Sequence, residues 1–269
     1  MKYDPVKNRI GSFVNRSVWL RKLFYLLLDI LLLRTWHVKK AVRQFASGKP
    51  GEALILDAGS GFGQYTWRLS RMNSFWKIDA VDIKQEQLDD CSLFFGKAGL
   101  SQRVRFSYAD LTQFRRQDTY DMILSVDVME HISEDRLVFS NFHESLRGNG
   151  LLIISTPSDK GGSDVHQEDG ESFIEEHVRD GYSIASIGEK LKEAGFSQVN
   201  TRYTYGTPGK ISWKLSMKIP VLMLNMSWLF GLVLPFWYIL VMPFSLLLNF
   251  IDTRVEHNEG AGLLVIAVK

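Results

Sequence analysis

The sequence predicts an α/β domain on a mainly parallel sheet, and three observations point to it. Short apolar runs alternate with helical stretches through the middle of the chain. Four of these runs close on an acid: Asp57, Asp82, Asp110 and Asp127. A glycine cluster follows the first acid. Alternating strands and helices build parallel sheets, whose ligands sit outside the carboxyl ends of the strands. Four acids in that position describe a shared polar rim; the plainer reading is four solvated loop acids.

Each element follows from its pattern. Ala53–Asp57 is the first strand and Tyr65–Ser70 the helix after it. Trp76–Asp82 and Lys84–Lys97 repeat the plan. Val104–Tyr108 and Tyr120–Val126 are the third and fourth strands. Helix Asp135–Leu146 leads to a fifth strand, Leu151–Ser155. Ser183–Ala194 is helical and stops at Gly195. Ser197–Tyr205 alternates like a strand, and Gly262–Val268 is the last one.

Composition narrows the class. The 269 residues are 45% hydrophobic and 23% charged, which excludes disordered, collagen-like and low-complexity chains. The single Cys91 forms no intrachain disulfide and is too little for a Cys-based zinc site, so a reducing cytoplasmic setting is expected. The net charge of +2 hides an asymmetry. The first 50 residues hold eleven Lys/Arg against two Asp, a balance of +9 that leaves −7 for the other 219. Near the end, Ile219 to Ile251 runs for 33 residues without a charged side chain. Three parts result: a basic apolar arm (1–45), a ligand-binding domain (46–206 and 259–269), and an apolar insert (207–258).

The loop after the first strand reads Asp57-Ala58-Gly59-Ser60-Gly61-Phe62-Gly63. It fails the G-x-G-x-x-G dinucleotide pattern, and no lysine follows to make a phosphate-cradling P-loop. Glycines let a backbone approach a ligand closely. Asp82, ending the next strand, stands where an acid accepts hydrogen bonds from ribose hydroxyls. Together they argue for a nucleoside cofactor, against a bare strand-to-helix turn.

These residues resemble the class I S-adenosylmethionine-dependent methyltransferases, including small-molecule and quinone-type O-methyltransferases. D-x-G-x-G-x-G resembles their first motif, and Asp82-Ile83 their ribose-binding acid and its neighbour. Asp110-Leu111 is similar to the acid and amide that contact adenine. Tyr120 to Ile132, with Asp127 and the Glu130-His131-Ile132 ending, is similar to their fourth-strand motif. Leu146-Arg147-Gly148-Asn149-Gly150 resembles the turn before strand five, with Gly148 and Asn149 replacing the usual Pro-Gly. The resemblance covers about residues 45–205 and the tail. It implies S-adenosyl-L-methionine as cofactor and a Rossmann-like seven-stranded sheet with an antiparallel last strand. It also implies Asp57, Gly59, Gly61, Gly63, Asp82, Ile83, Asp110, Leu111 and Asp127 as cofactor-binding residues.

Methyl transfer needs donor and acceptor in line; a base is needed only for an acceptor that must lose a proton. His131 and His177 are the candidates, since imidazole titrates near neutrality. His131 has an equal claim to a structural role. His177 lies in Glu175-Glu176-His177-Val178-Arg179, a segment that resembles quinone-biosynthesis O-methyltransferases. His166, among Gly161–Gly170, reads as part of a lid. Glu130-His131 alone is a poor ligand set, so no metal is expected.

The insert lies between two strands of one sheet, so a single membrane crossing is excluded. Pro235 divides its charge-free run into 16 and 17 residues, and 16 residues of helix reach ~24 Å, short of the ~30 Å hydrocarbon core. A hairpin dipping into one leaflet, a hairpin packed on the protein itself, and a homodimer interface remain. Pro220, Pro235 and Pro243 are expected to break or kink it. Ile211–Lys218 fits a strand or a helix. In the arm, Leu23–Leu33 is apolar but for Asp29 and lacks the flank of a signal peptide. It fits an interfacial helix on the inner, anionic face of a membrane, or a helix that covers the site and packs on the insert. Either arrangement gives an apolar route to the cofactor, hence a lipophilic small-molecule acceptor. A non-catalytic scaffold and a protein methyltransferase are the alternatives. Nucleic acid is not an expected partner: the N/D-P-P-Y signature is absent and leucines interleave the basic arm.

Overall fold

The computed structural model describes residues 17–161 and 178–269. His166 and His177 lie outside the described residues.

One seven-stranded sheet organises the chain, in the order β3-β2-β1-β4-β5-β7-β6. The strands are β1 (Ala53–Ala58), β2 (Trp76–Asp82), β3 (Val104–Tyr108), β4 (Tyr120–Val126), β5 (Leu146–Pro157), β6 (Gln198–Thr204) and β7 (Gly262–Val268). β7 alone is antiparallel, inserted between β5 and β6. The sequence order reverses at β1, which pairs with both β2 and β4. A ligand crevice opens at such a reversal.

Side-chain alternation supplies two cores. Leu56, Ile123 and Ile154 point to one face, their neighbours Ile55, Met122 and Ile153 to the other. The first face is covered by α5 (Asp135–Ser145) and α6 (Ile184–Glu193), through residues such as Phe139, Phe142, Ile187 and Leu191. The second is covered by α1 (Val18–Leu31), α2 (Leu33–Gly48), α3 (Gln64–Met72) and α4 (Gln85–Lys97), through Tyr25, Val38, Leu69 and Phe95.

Three local expectations change. Strand five starts earlier than Leu151: Leu146 already pairs with Tyr120, and the ladder resumes at Met122–Leu151. Asn149, at φ 62°, lets the intervening residues bulge out instead of forming a separate turn. The apolar arm is two helices, because Leu32 is extended between them. Ile211–Lys218 is helical. It spans the end of α7 (Thr207–Trp213) and a π-helical turn, Lys214–Lys218.

The insert continues as α8 (Ile219–Met226), a 3₁₀ turn (Trp228–Leu232) and α9 (Leu234–Asp252). Pro220 and Pro235 sit in the first turns of α8 and α9, where a missing N–H costs nothing. Pro243 lies inside α9 without ending it, which leaves a kink as the expected effect there. The insert leaves the sheet after Thr204 and returns at Gly262, which are paired in adjacent strands. It is therefore an excursion from one sheet edge.

Candidate active site

The glycine loop runs from the end of β1 to α3. Gly59 and Ser60 donate their N–H groups to the Val81 carbonyl, both at 2.9 Å, tying the loop to β2. Gly59 has φ 83°, and a Cβ there would stand 2.2 Å from Val128 Cγ2, so no side chain fits. At Gly61 a Cβ would meet only Gln87 Oε1, at 3.7 Å, so the middle of the loop faces open space. The Ser60 hydroxyl, also in the loop, is buried without a hydrogen-bond partner.

Asp82 borders this space. One carboxylate oxygen accepts the Gly61 N–H at 2.8 Å, the other the Lys84 N–H at 3.0 Å. An ionised carboxylate has about four acceptor sites, so two remain for hydroxyl donors. Ile83 beside it is exposed, an apolar surface at the rim. Asp110 accepts the N–H and hydroxyl of Thr112 on one oxygen, closing a turn on itself. Leu111 is buried, and its carbonyl accepts from Asn141, which fixes this corner to α5.

One of the four strand-end acids leaves the open rim. Asp57 is 2% exposed and accepts a hydrogen bond from the Thr66 hydroxyl. Burial, with the nearby Asp82 charge, pushes its carboxyl up to about 7. It supports the loop from below. Asp127 sits at φ 53°, a conformation disfavoured outside glycine, with its N–H held by the Ser155 carbonyl. Its carboxylate is ion-paired with Arg34 of α2. Asp82, Asp110 and Asp127 thus stand at the rim, Asp127 partly exposed and ion-paired with Arg34, while Asp57 lies buried below it.

His131 ends a 3₁₀ turn, Met129–His131, directly after Val128, the residue packed on Gly59. Glu130 is turned inward instead, accepting from the Thr156 hydroxyl at 3.0 Å. Burial raises its carboxyl above the usual carboxylate range. Glu130 and His131 therefore do not point a shared ligand set into the crevice, and no metal-holding cluster occurs among the described residues.

The N-terminal helices close the loop from outside. Tyr25 and Arg21 donate to the Phe62 carbonyl at 2.5 and 2.9 Å. Asp29, the lone acid of the apolar helix, is ion-paired with Arg68 and accepts from Gln64 at 3.1 Å. Further on, His37 Nε2 meets the Asp252 carboxylate at 2.8 Å, and Lys40 donates to the Thr253 carbonyl. Asp252 also accepts the Tyr205 and Gly209 N–H groups. Burial holds His37 below its ordinary pKa, while bonds from His37 hold Asp252 low against its own burial. The pair shares one buried hydrogen bond. It knots arm, β6 end and insert together beside the site.

A methyltransferase domain family matches residues 55–150, which include the glycine loop and Asp82, Asp110 and Asp127. Malonyl-acyl-carrier protein O-methyltransferase of Paenibacillus sp. (strain JDR-2) is 28% identical over 184 residues, 63% of this chain and 66% of the relative. N-terminal Xaa-Pro-Lys N-methyltransferase 1-B of Xenopus laevis is 30% identical over 166 residues, 59% of this chain and 70% of the relative. The chain belongs to the class I S-adenosylmethionine-dependent methyltransferases. Haemonchus contortus phosphoethanolamine N-methyltransferase 2, solved with S-adenosyl-L-methionine, shares the fold of this methyltransferase. The TM-score is 0.57 at 18% identity, covering 81% of this chain and 49% of that one.

S-adenosyl-L-methionine is accordingly the cofactor of this methyltransferase. The open space at Gly61, the partnerless Ser60 hydroxyl and the free lone pairs of Asp82 fit a nucleoside. Sequence reasoning missed Arg34, His37 and Asp252, because their partners lie far along the chain. The signal was Asp29: a single acid in an apolar helix implies a buried partner.

Proposed function

We propose that this methyltransferase modifies a lipophilic small molecule, such as a phenol, quinone precursor, polyene acid or lipid head group, at the cytoplasmic face of a membrane. The division into arm (1–45), methyltransferase domain (46–206 and 259–269) and insert (207–258) belongs to the same proposal.

One observation supports it above the others: the insert is polar inside and apolar outside. Ser212, Ser216, Ser245 and Asn249 are buried between its helices. Ser212 donates to the Ser245 carbonyl, and Ser216 to the Ser212 carbonyl. Trp237 and Tyr238 of α9 donate to the Leu215 and Ser216 carbonyls at 3.0 Å, satisfying the π-helical turn. The outer face carries Met226, Leu229, Leu232, Phe236, Ile239 and Leu240, all about 70% exposed or more. Small polar residues between helices and large apolar ones outside suit lipid, not water. α9 is long and apolar enough to cross a membrane, yet Asp252 anchors its end to His37 and the chain returns to the sheet. A hairpin dipping into one leaflet satisfies both facts.

Bound in the crevice, the cofactor would supply an activated methyl group to a nucleophilic acceptor. The chain's task is alignment and exclusion of water. Gly61, Asp82 and Asp110 hold the nucleoside, while α1 and α2 shield the crevice. His131 takes the proton where the acceptor is a hydroxyl; His177 is the second candidate.

Flotation with phosphatidylcholine vesicles tests the membrane half: the protein floats, and Leu229→Asp does not. A monomer that stays at the bottom refutes membrane contact, and a stable dimer that does so assigns the apolar face to a second copy. Cofactor calorimetry with Asp82→Ala tests the other half.

A further inference from the structure

Outside the crevice, α2 and α3 border a cleft of about 670 Å³. Lys39 and Arg43 enter it from α2, Arg68 and Arg71 from α3. The only acid lining it is Asp29, already committed to Arg68. No carboxylate among the described residues pairs with Lys39, Arg43 or Arg71. The Arg68 Nε is buried and lacks a partner. Burial and then the charges of Arg68 and Arg43 hold the Lys39 ammonium below its ordinary pKa. The cations are thus gathered against their mutual repulsion.

The rim is of a different character. Trp67 lies in the cleft wall with Lys22 of α1 5.4 Å above its ring. Lys22, Leu26 and Asp29 fall on one stripe of α1, spaced four and three residues apart. Leu26 is exposed between its two anchored neighbours, and Trp19 is exposed one turn earlier. A cleft lined by three guanidinium groups, one of them shared with Asp29, beside an apolar lip is matched by a phosphate carrying an apolar tail. Guanidinium forks grip phosphate oxygens in pairs, and a tail would lie along Leu26 and Trp19.

We propose that the cleft lined by Lys39, Arg43, Arg68 and Arg71 binds the phosphate of an anionic phospholipid, seating the α1–α2 side of the enzyme on the leaflet that receives the insert. This deepens the membrane reading above and rests on it. The hairpin supplies apolar insertion; the cleft supplies selection of charge and fixes orientation.

The test is flotation of the full chain with two vesicle types, pure phosphatidylcholine and phosphatidylcholine with one quarter phosphatidylglycerol. Arg43 and Arg71 are exposed and outside the cofactor site, so an Arg43→Glu/Arg71→Glu double substitution spares the fold. Wild type is expected to bind the anionic vesicles about tenfold more tightly or better, since each basic residue near a charged leaflet strengthens binding severalfold. The double variant should lose that preference while keeping phosphatidylcholine binding and cofactor affinity. Retention of the preference by the double variant overturns the proposal. So does binding of soluble glycerol 3-phosphate, by calorimetry, as tightly as the anionic vesicles, which makes the cleft a soluble phosphate site. Failure of the hairpin reading looks different: Leu229→Asp then leaves phosphatidylcholine binding intact. If wild type binds neither vesicle, both fail.

Discussion

The glycine loop and the apolar insert flank the same sheet but are built by opposite rules. The loop is fixed from every side: Val81 below, Val128 above Gly59, and Tyr25 and Arg21 on the Phe62 carbonyl. Only the surface at Gly61 and Asp82 is left open. The insert is fixed at its base, by Asp252, and turns its apolar surface outward. Where a segment's surroundings are its own chain, local pattern identifies its role. Where they are not, composition alone leaves several partners possible, and the inside of the element must be seen.

The comparison can be broken at the knot that joins the two regions. Asp252→Ala strips His37, Tyr205 and Gly209 of a shared acceptor, and each buried donor left unpaired costs about 1–3 kcal/mol. Thermal denaturation should show it as a large fall in Tm. Gly59→Ala comes next. Its Cβ meets Val128 in a left-handed backbone, so overpacking of about 1–3 kcal/mol adds to the conformational penalty, and calorimetry should find cofactor binding lost. Asp82→Ala removes charged acceptors worth about 1.5–3 kcal/mol, a ~10–150-fold loss of cofactor affinity.

Two smaller effects sharpen the contrast. Asp57 has its folded pKa raised to about 7 from an ordinary carboxylate value near 4. The folded state therefore holds its proton longer, and stability from this group, full below about pH 4, declines as pH rises to 7. Asp57→Asn should gain on wild type in Tm between pH 5 and 8. A constant difference would contradict a raised folded pKa for Asp57. Leu229→Asp, on the exposed hairpin, should change stability by less than about 0.5 kcal/mol while abolishing vesicle binding.

The sheet was legible in the sequence because its strands are short, apolar and closed by acids. β4 shows this best, buried at all seven positions and read correctly to the residue. The glycine loop and Asp82 were legible for the same reason. The rest was decided by contacts distant in sequence. Asp57 looked like a rim acid until Thr66 placed it under the loop. Asp127 looked unpaired until the fold brought Arg34 to it. Leu32, extended, separates the arm into two helices, and its sequence neighbours carry no Pro or Gly to signal it. Pro243 did not break α9, since a helix flanked by Ser212 and Trp237 contacts tolerates one lost bond. In the insert, the serines buried between helices carry the information, and no hydropathy average separates them from the apolar shell.

The proposed reaction is methyl transfer from S-adenosylmethionine to a membrane-dissolved acceptor. Its most direct measurement uses cofactor labelled in the transferred methyl, with the full chain and vesicles made from a total lipid extract. Label should move into the organic phase as S-adenosylhomocysteine accumulates, and Asp82→Ala and Leu229→Asp should each suppress the transfer. Label confined to water-soluble acceptors, at a rate indifferent to vesicles and to Leu229→Asp, would contradict it.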